Sequence, residues 1–422
     1  MTRTPLKFSA FISFCSSLLT PARVRAQAIV LALCLWGVCV VDFATPGLFD
    51  RVGNIKFQDF LPVYVSARLI RKHRAAELYD QPTISAEVQT IVRDPTRVRL
   101  PYLYGPQVGL FFLPLSAIPF PAASKIWAAL IVLLYLACVY AVWKACPNLR
   151  PHFATVAIAA LAFPPLFHAF VRGQTSALVL AAFVVAFFAL RADRPWLAGI
   201  LLGALIFKPQ FLVALPLIFL ASAAWKLLSG LFLSAAAQLL AARLYFGPLV
   251  LHNYFAMLLH PARWIDSAEL SLAPIQMHSL RSFWLLLIPF PAPAFALYVF
   301  SSLAVIAISA AIWKSALSLP LRFSALVLCA VLVNPHLFVH DLLVLAPVLL
   351  LLVDDAVSHP RAQSSAWLQI LLWLAFVLPL FGPLSRWTHL QPSVILFVLL
   401  LATIDRRRFP RPALASNESA VV

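Results

Sequence analysis

The chain has 422 residues, of which 63% are apolar and only 11% are charged. A soluble protein of this size could not bury so much apolar surface, so the mean hydropathy of +0.92 excludes a soluble enzyme, a disordered tail and a fibrous protein. The net charge of +17 indicates loops beside anionic lipid headgroups rather than nucleic-acid binding, because no basic cluster alternates with aromatic residues in a soluble segment.

Long apolar runs without a two-residue period predict transmembrane helices rather than a lipid-facing β-barrel. The first run covers 26–41 and follows a basic segment, 1–25, that contains no acidic residue. Because positive charge favours the cytoplasmic side, we expect 1–25 to be cytoplasmic. No good small-x-small cleavage site lies beside the run, so it is interpreted as a retained anchor rather than a cleaved signal peptide.

The segment 42–104 is the most polar part of the chain and holds nearly half of its acidic residues. After a first span with a cytoplasmic N-terminus, this segment is predicted to be the first outer loop. Apolar residues between Phe60 and Ile70 recur at roughly helical spacing, with basic residues between and after them. That pattern is typical of an amphipathic helix lying on the membrane surface.

From Gly105 onward the apolar runs are nearly continuous. At ~20 residues per crossing, the runs that follow the first predict about twelve spans in total, near 105–120, 123–143, 153–170, 174–190, 196–222, 227–246, 294–313, 321–333, 336–353, 366–383 and 393–404. The run 196–222 is interrupted by Lys208 and Pro209, so irregular or half-helical spans are expected.

A second polar, aromatic-rich segment, 247–282, is predicted to lie on the same outer face as 42–104. The tail 405–422 carries Arg406, Arg407, Arg408 and Arg411 and is expected to be cytoplasmic. The sequence thus predicts one transmembrane domain, 26–404, with both termini in the cytoplasm. The six cysteines form no C-x-x-C pair and no zinc-ligand spacing, so they are interpreted as packing thiols, and no metal site is predicted.

Ionisable side chains at membrane depth are costly and commonly mark a functional site. The candidates are Lys208, the pair His340–Asp341, Asp59, and the two residues His168 and Arg172 at the end of an apolar run. Each also has a structural interpretation. Asp59 could cap a helix beginning near Phe60, Lys208 could lie in a solvated turn, and His340–Asp341 could be a buried hydrogen-bonded pair. Arg172 and Arg281 could extend their charged ends to water at the interface.

Six segments occur in a characteristic order. They are QDFLPVYVSARLI at 58–70, YGPQVGLFFLPLSAIP at 104–119, RGQTSALVLAAFVVAFFAL at 172–190, LAGILLGALIFKPQFLVALPL at 197–217, QMHSLRSFW at 276–284 and NPHLFVHDLLVLAPVLLLL at 334–352. Together they resemble the GT-C-fold glycosyltransferases of family 87, the polyprenol-phosphate-mannose-dependent α-mannosyltransferases of actinobacteria and their bacterial relatives. Gly105 stands where the family pattern has a proline, and Met277-His278 stand where it has Asn-Gln.

The resemblance implies an all-α polytopic bundle of GT-C type with its active site at the outer face. It aligns Asp59 with the family's catalytic carboxylate, and His340 is a second catalytic candidate. Five further residues in the matching segments are predicted to bind the donor phosphate or sugar: Lys208, Arg281, Gln174, His278 and Tyr64.

These features predict an inverting hexosyltransferase of the bacterial plasma membrane. It would move a hexose, first of all mannose, from a polyprenyl-phosphate donor to a lipid or glycan acceptor, without a metal or another cofactor. A single carboxylate is enough for an inverting displacement, and no soluble nucleotide-binding domain is present to hold a nucleotide sugar. Two alternatives remain open: a transporter or flippase of a polar lipid, and a non-catalytic membrane scaffold.

Overall fold

The computed structural model describes residues 12–93, 100–260, 274–359 and 363–409. Within these ranges the chain forms helices and two isolated β-bridges but no strand. The α-helices are α1 Pro21–Phe43, α2 Leu61–Arg71, α3 Gln81–Val92, α4 Pro106–Phe111, α5 Phe120–Ala145, α6 Phe153–Leu161, α7 Pro164–Arg172, α8 Ser176–Arg191, α9 Pro195–Gly203, α10 Leu215–Ala221, α11 Trp225–Phe246, α12 Pro248–Leu259, α13 Leu280–Leu287, α14 Pro291–Lys314, α15 Leu319–Leu332, α16 Leu345–Ser358, α17 Gln363–Val377, α18 Ser385–Thr388 and α19 Pro392–Arg406.

Five stretches of the described chain are long and apolar enough to cross a membrane: α1, α5, α11, α14 and Ala366–Thr388. A sixth is added if Pro147–Leu161 and Pro164–Arg172, which meet at a 45° bend, are one broken span. The prediction of an all-α, multi-pass membrane protein is therefore confirmed. The predicted total of about twelve spans exceeds these five or six and stays a prediction.

Several predicted spans are broken into short helices at prolines. The run 196–222 forms α9, two short 3-10 turns on either side of Lys208, and α10. Pro209 has no backbone N–H and disfavours a helical conformation at the residue before it, and Lys208 accordingly has φ −127° and ψ 72°. The run 105–120 likewise contains only α4 and a 3-10 turn before Pro119. These interruptions create the loops that carry polar side chains inside the bundle.

The helix predicted within the first outer loop is present as α2, but its apolar side is covered by protein. Residues Leu61–Ala67, Leu69 and Ile70 are buried, and α2 packs against α3 and α4. The expectation that this helix rests with its apolar side on the membrane surface is therefore corrected, because its neighbours in the chain fold over that side. At the basic C-terminal end of α2, Arg68, Lys72 and Arg74 form ion pairs with the carboxylate of Glu87.

The described parts of the two predicted outer loops pack against each other. The ring of Tyr79, which precedes α3, lies 5.9 Å from the ring of Tyr254 in α12. Residues 261–273 of the second loop, the N-terminal residues 1–11 and the tail beyond 409 lie outside the described residues.

Helices α9 and α11 approach closely because glycines face each other. A Cβ atom on Gly199 or Gly203 would meet the backbone carbonyl of Leu227 or Leu231, and one on Gly230 would meet the carbonyl of Trp196. Such contacts between small residues are typical of helix packing in membranes. They hold the helix that leads into Lys208 firmly in place.

Candidate active site

The structure brings four of the predicted site residues together in one place. Asp59 lies just before α2, Gln174 lies between α7 and α8, Lys208 lies at the break after α9, and His340 lies in the 3-10 turn Val339–Val344. Their neighbour Asp341 completes the group. Asp59 and Gln174 are 115 residues apart in the chain, so folding alone makes them neighbours.

Asp59 is held by its side chain and by its backbone. Its Oδ2 accepts a 2.7 Å hydrogen bond from Gln174 Nε2, and its backbone N–H donates to the carbonyl of Arg172 at 3.0 Å. Its Oδ1 lies 3.7 Å from Nη1 of Arg172, and 22% of its side chain is exposed. The helix that follows begins at Leu61 with Phe60 as its N-cap and no side-chain cap hydrogen bond. The alternative that Asp59 is only a helix cap is therefore not supported.

The amide of Gln174 has one orientation that satisfies its surroundings. Its Oε1 accepts a 3.1 Å hydrogen bond from the Tyr104 hydroxyl and faces Lys208 Nζ at 3.5 Å. Because both of those groups donate, the amide nitrogen must point to Asp59. Burial raises the pKa of Tyr104, opposed by the nearby charge of Lys208, so its hydroxyl stays protonated and can donate. The hydroxyl in turn accepts a 3.2 Å hydrogen bond from Thr175.

Lys208 and Asp341 form a buried ion pair under this amide. Lys208 Nζ lies 2.6 Å from Asp341 Oδ1, and the side chains are 5% and 2% exposed. The same Nζ donates to Ser176 Oγ at 3.3 Å, and that hydroxyl donates to Asp341 at 2.7 Å. An ammonium group has three donors, and together with Gln174 all three are used. The alternative of a solvated turn at Lys208 is therefore excluded.

His340 lies beside this ion pair but makes no hydrogen bond to it. Its Nε2 is 3.7 Å from Asp341 Oδ2, which is beyond hydrogen-bond length. The ring stacks on Phe338 with centroids 5.7 Å apart, and Phe338 also meets His336 edge-on at 4.8 Å. Asp341 therefore does not fix the tautomer of His340 in this structure.

The other three predicted donor-binding residues lie outside the hydrogen-bonded group. Tyr64 donates to the carbonyl of Ile118 at 2.7 Å. Arg281 donates through Nη1 to the carbonyl of Pro335 at 3.1 Å. The backbone N–H of His278 donates to the carbonyl of Leu337, and its Nδ1 lies 2.9 Å from Ser393 Oγ. Arg281 and His278 thus border the segment that leads to His340, whereas Tyr64 packs with Phe60 and Phe120.

Sequence reasoning did not single out Tyr104 and Ser176 as site residues. It left Arg172 open between a site residue and an interface cation. A signal was present, since the run Arg-Gly-Gln-Thr-Ser at 172–176 places five small or polar residues at the start of an otherwise apolar helix. Among the described residues no group of three or more His, Cys, Asp or Glu side chains could hold a metal ion.

A comparison with known protein families identifies the family of this chain. The model of the family described as Glycosyltransferase family 87 matches residues 102–340, more than half of the chain. The match includes Tyr104, Gln174 and Lys208 and ends at His340, while Asp59 lies before it. No curated protein and no solved structure matches the chain. The chain therefore belongs to glycosyltransferase family 87, and its apolar helices make it a multi-pass membrane member of that family.

Proposed function

We propose that the protein transfers a hexose, first of all mannose, from a polyprenyl phosphate to a hydroxyl of a lipid or glycan acceptor, with inversion at the anomeric carbon. The observation that carries the proposal is the partly exposed carboxylate of Asp59, held by Gln174 and adjacent to Arg172. Membership of a glycosyltransferase family favours this function over the transporter and the scaffold.

Asp59 is proposed to be the general base. Its Oδ2 is already engaged by Gln174, so Oδ1 is the atom left to accept the proton of the acceptor hydroxyl. In a productive complex that hydroxyl must lie ~2.6–3.2 Å from the carboxylate. The acceptor oxygen then bonds to the anomeric carbon while the bond from that carbon to the phosphate oxygen breaks. The proton ends on Asp59, and the bonding electrons leave with the phosphate.

The site is proposed to face the outside of a bacterial plasma membrane. Helix α1 ends at Phe43, whose ring lies 4.9 Å from that of Phe57, and α5 begins at Phe120, whose ring lies 6.2 Å from that of Phe60. The end of one candidate span and the start of another thus flank the Asp59 loop. With the N-terminus in the cytoplasm, as the basic residues before α1 indicate, the end of α1 lies outside.

The remaining predicted residues take different parts in this proposal. Lys208 supplies a fixed positive charge behind Gln174, since direct contact with a phosphate would require it to release an acceptor it already has. Arg281 is exposed, and toward the described residues it donates only through Nη1, so its other donors can reach the donor substrate. His340, His278 and Tyr64 stay predicted contacts of the donor or acceptor.

The proposal is tested by incubating the purified protein in detergent with a radiolabelled polyprenyl-phosphate hexose, with and without a membrane lipid extract. We expect label to move to an extract component only when both are present. The matched control is Asp59→Asn, which keeps the size of the side chain and removes the base. Equal transfer by parent and control would argue against Asp59, and no transfer with any polyprenyl-phosphate hexose would argue against the donor class.

A further inference from the structure

We infer that Arg172 binds the leaving phosphate of the donor and that proton transfer to Asp59 strengthens this contact; the inference rests on the proposed function. Arg172 Nη1 lies 3.7 Å from Asp59 Oδ1, which is an ion pair without a hydrogen bond. Its side chain is 45% exposed, and no described residue accepts a hydrogen bond from its guanidinium. The five N–H donors of this group therefore have no acceptor among the described residues and can bind a ligand beside the base.

Arg172 is better placed for this role than the other two cations. Lys208 has an acceptor for each of its three donors and is 5% exposed. Arg281 is tied to the carbonyl of Pro335 and makes no contact with Asp59 in the structure. Among the described residues, Arg172 alone forms an ion pair with Asp59. A planar guanidinium also suits a phosphate, because it can donate two parallel hydrogen bonds.

Backbone hydrogen bonds hold together the two segments that carry the base and the guanidinium. Arg172 is the last residue of α7, and its carbonyl accepts the backbone N–H of Asp59. The next residue, Gly173, has φ +70°, and its carbonyl accepts a 2.9 Å hydrogen bond from Trp127 Nε1. The turn that ends α7 thus carries Arg172 and anchors Asp59, so the two groups are positioned together.

The charges of the reaction explain why this pairing would help. Before transfer, the donor phosphodiester carries one negative charge and Asp59 carries another. After transfer, Asp59 holds the acceptor proton and is neutral, while the released polyprenyl phosphate carries two negative charges. The total is unchanged, but one negative charge has moved from the carboxylate to the phosphate. Arg172, which lies beside the carboxylate, exchanges one anion for the other without moving far.

The inference is tested by binding, without turnover. A short-chain polyprenyl monophosphate is titrated into the purified full chain at pH 8, where the phosphate is a dianion because its second pKa is about 6. We expect Arg172→Gln to weaken binding about ten- to hundredfold. We expect Asp59→Asn to tighten it about three- to tenfold, because the competing carboxylate is gone. The double variant, Arg172→Gln with Asp59→Asn, should not show this tighter binding.

A matched control and a conservative variant complete the design. Arg191→Gln removes an exposed arginine at the far end of α8, roughly 20 Å from Ser176 by helix length, and should bind as the parent does. Arg172→Lys should bind between the parent and Arg172→Gln. Binding by Arg172→Gln equal to the parent, or tightening by Asp59→Asn that survives in the double variant, overturns the inference and leaves the proposed donor intact. A parent that does not bind the monophosphate overturns both.

Discussion

The side-chain amide of Gln174 donates a 2.7 Å hydrogen bond to the carboxylate of Asp59, across 115 residues of chain. The other end of that amide faces Tyr104 and Lys208, so the orientation of the carboxylate depends, through Gln174, on the buried ion pair of Lys208 and Asp341. This relationship links the outer loop, the start of α8 and the break after α9. It also predicts measurable effects of substitutions at Gln174 and Lys208.

Replacing Gln174 should lower turnover without removing any reacting group. In Gln174→Leu the carboxylate of Asp59 loses its only described side-chain hydrogen bond and is free to rotate. A displacement of about 1 Å costs ~10²-fold in rate, and we expect a loss of that size in kcat with a smaller change in KM for the donor. Steady-state kinetics with the polyprenyl-phosphate hexose measure both. A loss confined to KM would instead indicate that Gln174 binds the donor.

Replacing Lys208 should destabilise the protein. Lys208→Ala leaves Asp341 buried without its cation, and breaking a buried pair in this way costs about 3–5 kcal/mol. If Lys208 instead contacts the donor, as the sequence predicts, the same change should weaken donor binding and leave the fold intact. Thermal unfolding in detergent distinguishes these two outcomes. The control is Lys226→Ala, which replaces an exposed lysine in α11.

The double variant Lys208→Met with Asp341→Leu separates charge balance from packing. It removes both charges together, so it should recover most of the stability that Lys208→Ala loses. A double variant no more stable than the single one would show that the ion pair is not the cause.

Gly173→Ala should disturb the site through the backbone. Gly173 has φ +70°, and an added Cβ would lie 2.9 Å from Cβ of Phe60, next to Asp59. The strained conformation costs about 1–3 kcal/mol, and the displaced loop should reduce turnover as well. Gly37→Ala in α1 is the matched control, because a Cβ there meets nothing within 4 Å. Equal unfolding temperatures for the two variants would contradict the proposed constraint.

The orientation of the bundle can be tested by labelling single cysteines in a background without Cys15 and Cys34. We expect Arg93→Cys, at the end of α3, to react with an impermeant reagent outside the cell. Arg191→Cys, at the far end of α8 from the site, should react only after the membrane is opened. The opposite pattern would place the site on the cytoplasmic face.

The sequence was sufficient to predict the kind of protein. Lys208 and His340 were singled out as ionisable residues within apolar runs, Asp59 and Gln174 mainly through the family resemblance, and the structure places the four close together. The contacts of Arg172 and Tyr104 were not predictable, since they depend on how α7 and the residues before α4 meet the Asp59 loop. The span count was uncertain because hydropathy measures apolar length, whereas a proline such as Pro209 can interrupt the helix within an apolar run.

The central claim is that Asp59 is the base, and the rate of hexose transfer under single-turnover conditions tests it most directly. Asp59→Asn should keep the unfolding temperature of the parent, because the asparagine retains the size of the aspartate, and it should bind a polyprenyl monophosphate at least as tightly as the parent does. Its transfer rate should fall about 10²–10⁴-fold, the usual contribution of a general base. Transfer by folded Asp59→Asn at the parental rate would contradict the account.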